Sequence, residues 1–207
     1  MEKNKNLNVR VLQTISGMDI NSGGTTTCTY ILVKGLIEKG VQIKILTFDS
    51  DAHNSLISNE EFIETIKAPL EKRFWYSAGF ENALQKYSDR DIIHTNGLWQ
   101  YPSHSSVVFS IKNNIPLIFS THGMLNPEAM KNSSLFKNIA MRLFQKKDLQ
   151  RATVIHATCK QEMEFIRALG FTNSIAIIPN AIDIKTPPKI VFRSGKKKTN
   201  RIYRQIC

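Results

Sequence analysis

The strongest constraint on how this chain folds lies near its start. The stretch "NVRVLQTI" has the Val, Ile and Leu content of a strand, and it runs into "SGMDINSGGTTT", a loop of Gly, Ser, Asn and Asp. Cys28, Ile31, Leu32, Gly35 and Leu36 then recur at i, i+3, i+4, i+7 and i+8, one apolar helix face that stops at Gly40. A second strand, "VQIKILTF", follows. Strand, glycine loop, helix, strand over about forty residues is a βαβ unit, which requires parallel strands and a right-handed crossover.

The alternation continues. Strands are predicted at "FIETI", "DIIHT", "IPLIFST", "TVIHAT" and "SIAIIPN", with helices near "AGFENALQKY", "SHSSVVFSIKN", 134–150 and "KQEMEFIRALG". The nearly continuous apolar run of "IPLIFST" suits a parallel strand covered on both faces. The expected fold is a doubly wound α/β domain with a mostly parallel sheet and helices on both faces, spanning residues 1–184. Two prolines in "IDIKTPP" then favour an extended linker, and 185–207 reads as a basic, disordered tail without periodicity.

With 42% hydrophobic residues, 22% charged residues and a mean hydropathy of −0.23, the 207-residue chain is expected to be soluble. The start "MEKNKNLNVRVLQTI" lacks the apolar core and cleavage site of a signal peptide, and no run approaches the roughly 20 apolar residues of a spanning helix. A cytoplasmic location is expected. Cys28, Cys159 and Cys207 form no CxxC, which points to reduced thiols. The net charge of +11 calls for an acidic partner, whether nucleic acid, anionic lipid or a phosphorylated substrate. Basic and aromatic residues are not interleaved on any nucleic-acid module, so nucleic acid is not expected.

In an open α/β sheet, ligands bind at the carboxyl ends of the strands. Gly23 and Gly24 lie after the first strand, just before a helix whose free N–H groups can receive a phosphate or a hydroxyl; a plain turn is the equal alternative. His94 and His122 each fall where a strand is predicted to end, so both are expected to project into one crevice, as substrate-binding groups or as structural ones. His156 follows the same pattern with the core as its alternative, while His53 and His104 read as solvated or capping residues. No H-x-x-x-H or acidic companions support a metal site. Trp75, Phe74, Trp99 and Tyr101 either stack on a sugar or pack in the core. In "SSLFKNIAMRLFQKKDLQRA", Leu135, Phe136, Ile139, Ala140, Leu143 and Phe144 form an apolar arc edged by Arg142, Lys146, Lys137, Lys147 and Arg151, which suits either a sheet-covering helix or an anionic membrane surface.

Five segments in order, "GGTTTCTYILVKGLIEKGVQIKILT", "DIIHTNGLW", "STHGMLNPEAM", "RATVIHATCKQEMEFIRALG" and "IIPNAID", carry a resemblance. From Val9 to Asp183 the chain resembles the Rossmann-like N-terminal domain of family 4 retaining glycosyltransferases of the GT-B fold, in particular the bacterial enzymes that build lipopolysaccharide or capsular polysaccharide. The resemblance implies a two-domain enzyme in which this half binds a glycan or glycolipid acceptor and a second half binds a nucleotide-diphosphate sugar. No metal or other cofactor is implied. It further implies that Gly23, Gly24 and Thr25 approach the donor phosphates and acceptor and that His122, the catalytic candidate, faces the donor sugar. His94, Asn96, Trp99, Gly123 and Met124 are expected on the substrate-binding cleft, and 179–183 is expected to lead into the interdomain linker. Asn96, Asn126 and Ala181 depart from the histidine, aspartate and glycine usual in the family.

Family members are roughly twice this length at typical domain sizes, and their acidic E-x7-E motif does not occur after the linker here. The expectation is therefore a truncated glycosyltransferase, inactive alone, either completed by a separate donor-domain chain or interrupted by a frameshift after the lysine run at 196–198. A contact with the inner face of the plasma membrane is a further expectation. Two alternatives remain: a non-catalytic membrane-surface or partner-binding protein, and a nicotinamide-dependent enzyme using Asp49 or Asp51, against which the glycine spacing argues.

Overall fold

A computed structural model describes residues 8–18, 24–48, 60–69, 75–132 and 134–181. Gly23, Asp49, Asp51, His53, Phe74, Asp183, Cys207, the boundary at 184 and the tail at 185–207 lie outside the described residues. Seven parallel strands form one sheet: β1 (Arg10–Thr14), β2 (Gln42–Phe48), β3 (Ile63–Ile66), β4 (Ile92–Asn96), β5 (Leu117–Ser120), β6 (Val154–Ala157) and β7 (Ser174–Ile177). Their spatial order is β3-β2-β1-β4-β5-β6-β7. The chain winds outward from β1 in one direction and then, from β4, in the other. Loops leaving β1 and β4 therefore diverge, which opens a crevice at the carboxyl end of the sheet.

Helix α1 (Gly24–Glu38) carries the first crossover. It ends as its sequence predicts: Gly40 adopts a φ of 84°, Val41 N–H reaches the Leu36 carbonyl, and Gly40 N–H reaches that of Ile37. Helices α2 (Ala78–Leu84), α3 (Tyr101–Lys112), α4 (Pro127–Lys131), α5 (Ser134–Ala140), α6 (Lys146–Arg151) and α7 (Lys160–Ala168) follow. The Ser77 side chain caps α2 by accepting from Phe80 N, and Pro102 occupies the first turn of α3, where its missing N–H is not needed.

Because side chains alternate across a strand, the sheet has two unlike faces. Leu12, Leu46, Phe48, Ile93, Leu117, Phe119 and Ile155 join Phe80, Val107, Leu149 and Ile166 from the helices in one large apolar core. On the opposite face Val11, Ile43, Ile45 and Val33 of α1 form a smaller cluster. Beside that cluster runs a polar stripe set by register: Gln13 is opposite His94, and Asn96 is opposite Ser120, itself opposite His156.

Two expectations are corrected here. The helix expected over 134–150 is present but runs through a π-helical turn at Met141–Gln145 between α5 and α6, with helical backbone at Ala140 and Lys146 on either side. That turn rotates the face that follows it, where Gln145, Asp148 and Leu149 are buried, while Leu135 and Ile139 ahead of it and Leu143 within it are 75%, 48% and 70% exposed. The predicted arc thus splits: Phe136, Ala140 and Phe144 pack on the core and the three others face outward. His94, expected at a strand end, instead lies within β4, which runs on to Asn96.

Candidate active site

The crevice is shaped by the loop after β5. His122 and Gly123 both adopt left-handed backbone conformations, with φ of 48° and 73°. For a histidine that conformation is costly, and the surroundings hold it in place. The buried carboxylate of Glu162, in the first turn of α7, accepts from Thr121 Oγ1, from Gly123 N, and from Thr158 N at 2.7 Å and Thr158 Oγ1 at 2.8 Å. Burial alone pushes this carboxyl up, but the donors from Thr121, Thr158 and Gly123 outweigh it and bring it below its ordinary range. The carboxylate thereby clamps one side of the loop. On the other, Met124 Sδ accepts from Leu98 N at 3.2 Å, and the Asn126 side chain caps α4 through Glu128 N at 3.0 Å.

A hollow of about 330 Å3 lies where Gly24 and Thr25 of α1, His122, Gly123, Asn126, Thr158 and Asn180 meet. A second, of about 290 Å3, shares Thr25 and is lined by Asn96, Gly97 and Met124. The first turn of α1, with its aligned peptide dipoles, faces the larger hollow and favours a negatively charged group.

Behind the hollows lies the polar stripe. His122 Nε2 is 3.0 Å from Asn96 Oδ1, Asn96 Nδ2 is 2.6 Å from Gln13 Oε1, and Gln13 Nε2 is 2.9 Å from His94 Nδ1. Ser120 Oγ bridges His94 Nε2 and His156 Nδ1, each at 2.6 Å, and His156 Nε2 is 2.8 Å from the Ile178 carbonyl oxygen. Burial, then the neighbouring His156 and His122, hold the His94 ring down at about 3. Burial and His156 hold His122 at about 4, with Glu162 pulling the other way. Both rings are neutral at pH 7.

The structure therefore brings together Gly24, Thr25, Asn96, His122, Gly123 and Met124 at the crevice. Two expected cleft residues are placed elsewhere. His94 is buried against Gln13 and Ser120 and borders neither hollow. Trp99, held at a φ of 70° with its main-chain N–H donated to Gln145 Oε1 at 2.7 Å, is in the apolar core. Its burial follows from the π-helical turn, which delivers Gln145 to receive that N–H. Glu162, Gln13 and Ser120 were not singled out from the sequence. Their signals were present: an acid at the third position of a helix, and two polar residues interrupting apolar strands. Among the described residues no group of three His, Cys, Asp or Glu side chains is placed to hold a metal ion, and no helix is long and apolar enough to cross a membrane.

Residues 22–186 match the profile of Glycosyltransferase Family 4. The chain belongs to that family. No curated protein sequence matches it. Among solved structures it is similar to Anabaena HepE in complex with UDP and glucose, at 19% identity and a TM-score of 0.55, over 87% of this chain and 47% of that one. An alpha-glucosyltransferase in complex with UDP and a 13-mer DNA matches at 15% identity and a TM-score of 0.53, over 86% and 44%. Acinetobacter baumannii MurG matches at 12% identity and a TM-score of 0.50, over 84% and 47%. These likenesses establish the fold of the family 4 chain, a GT-B N-terminal domain, and the chain spans about half the length of each neighbour.

Proposed function

We propose that this family 4 chain forms the acceptor-side wall of a glycosyltransferase site, where a sugar passes from a nucleotide-diphosphate sugar to a polysaccharide or lipopolysaccharide acceptor. The observation that carries this reading is the larger hollow, where the first turn of α1 meets His122 and Asn126. A helix N-terminus suits a diphosphate, and a neutral imidazole beside it suits a sugar hydroxyl. The donor is a substrate rather than a resident cofactor, and the reading calls for no metal. It does call for a second wall to hold the donor, from a further domain or a separate chain, because positioning the two substrates supplies much of the rate. The test is incorporation of radiolabel from UDP-glucose or UDP-N-acetylglucosamine into bacterial membrane extract, with and without a family 4 donor domain. Transfer that needs both parts, and that falls by about 100-fold in His122→Ala, is the expected result. No transfer from either donor with both parts present overturns the reading, and turnover near ~1 s⁻¹ by this chain alone removes the need for a second wall.

The same reading places the chain on the cytoplasmic face of a membrane. Leu135, Ile139 and Leu143 recur at four-residue spacing, all exposed, with exposed Arg142, Lys146 and Lys147 beside them. An apolar ridge flanked by cations suits anionic lipid. Co-sedimentation with phosphatidylglycerol vesicles, absent with phosphatidylcholine and lost in Leu143→Glu, is the expected outcome. Equal sedimentation with both lipids counts against it.

A further inference from the structure

The polar stripe has a direction that main-chain carbonyl oxygens set from its two ends. At one end the Ile178 carbonyl oxygen can only accept, so His156 Nε2 carries a proton. Its other nitrogen, Nδ1, lies 2.6 Å from Ser120 Oγ, whose hydroxyl has one proton to donate to it. At the other end Asn96 Nδ2 lies 3.3 Å from the Thr14 carbonyl oxygen and 3.4 Å from that of His94, both acceptors only, which fixes the Asn96 amide with its NH2 toward Gln13. Gln13 Oε1 receives it, so Gln13 Nε2 donates to His94 Nδ1 and the proton of His94 sits on Nε2, aimed at Ser120 Oγ. The two sequences of donation meet at Ser120 with the same direction. At the crevice end, Asn96 Oδ1 faces His122 Nε2 and can only accept from it.

We infer that Asn96, Gln13, His94, Ser120 and His156 are positioning residues forming a one-way hydrogen-bond chain that holds His122 as its Nε2–H tautomer and presents the Nδ1 lone pair as an acceptor. His122 Nδ1 is buried and has no hydrogen-bond partner among the described residues, so it is the one ring nitrogen in the chain left open. A group that donates a hydrogen bond satisfies it, and a fully ionised oxyanion does not. The depressed pKa of His94 is consistent with this geometry, since a second proton on its Nδ1 would meet the Gln13 amide donor head-on, and that of His122 follows from burial and the neighbouring His156.

This inference does not depend on sugar transfer: ring tautomers and transfer are read separately. The test is long-range 1H–15N correlation of the histidine rings in the intact chain at pH 7. His94, His122 and His156 are each expected to show a pyrrole-type Nε2 and a pyridine-type Nδ1. An Nδ1–H tautomer or an imidazolium pattern for any of the three overturns the chain. The unsubstituted protein decides this alone, so a variant that fails to fold leaves the test intact. Asn96→Leu, which keeps the branched outline and removes the acceptor, is expected to replace the pure Nε2–H signature of His122 with an averaged one. A pure signature retained in that variant overturns the assignment of Asn96 as the residue that positions His122.

Discussion

The two faces of the sheet are built on different terms. One is filled by interlocking apolar side chains, among them Phe48, Phe80, Phe119 and Leu117, all fully buried. The other, at the carboxyl ends of its central strands, buries Gln13, His94, Asn96, Ser120 and His156, and satisfies them by a single continuous set of hydrogen bonds. The apolar face gains free energy with each methylene removed from water. The polar face gains little net from its hydrogen bonds but loses heavily if one partner is removed, so it specifies geometry more than it adds stability. The fold thus draws most of its apolar burial from one side and its site from the other, beside the smaller cluster of Val11, Val33, Ile43 and Ile45.

Substitutions on each face separate these roles. The largest effect is expected on the apolar side: Phe119→Ala, which opens a cavity at a fully buried ring, is expected to lower stability by about 3–5 kcal/mol in urea denaturation. The His122 tautomer should be unchanged if enough folded protein remains.

The polar side is expected to be sensitive to acid instead. His94 and His122 have folded-state pKa values near 3 and 4, below the ordinary 6.5, so in between the unfolded chain binds protons that the folded one does not. Their contribution is complete above pH 6.5 and falls away as the pH drops toward 4. Between pH 6.5 and 5 the loss is about 2 kcal/mol for each ring. His104, raised by Asp148, works in the opposite sense, favouring the fold below pH 6.5. Denaturation midpoints at pH 7 and 5 check the sign, and a His94→Gln variant with an unchanged pH slope refutes the assignment to that ring.

Glu162→Gln is expected to cost about 2 kcal/mol, because an NH2 group must now face one of the donors from Thr121, Gly123 and Thr158. A shift of the Gly123 amide resonance should accompany it. The smallest effect is expected for Gly123→Ala. A Cβ there meets no atom within 4 Å, so only the left-handed φ of 73° is penalised, by about 1 kcal/mol.

Much of the apolar face was legible in the sequence, and less of the polar one. Composition and periodicity located β1, α1 and β2, and Gly40 marked the helix end through its conformational freedom, but the buried residues of α1 are Thr26, Thr29 and Val33, while Cys28, Ile31, Leu32 and Leu36 of the predicted face are only partly buried and Gly35 is exposed. The same rhythm over 134–150 concealed the π-helical turn, since one extra residue per turn shifts the buried face without altering composition. His122 was legible as a strand-end histidine. Gln13 and Ser120 read only as interruptions, because their hydrogen-bond partners lie 81 and 36 residues away and are set by strand register. Trp99 shows the reverse problem: an aromatic residue beside a glycine loop looks like a ligand platform until Gln145 arrives from a distant element to fix it inward.

The terminus of the hydrogen-bond chain at Ile178 is a main-chain oxygen. Replacing the side chain at that position leaves the acceptor in place, so the polarity of the whole stripe is insulated from ordinary mutation at its anchor. Substitutions at 178 that leave the main chain in place, including its N–H bond to the Ala157 carbonyl, are therefore expected to keep the histidine tautomers, whereas a change that displaces the backbone there, or that touches one of the interior links, can reverse them.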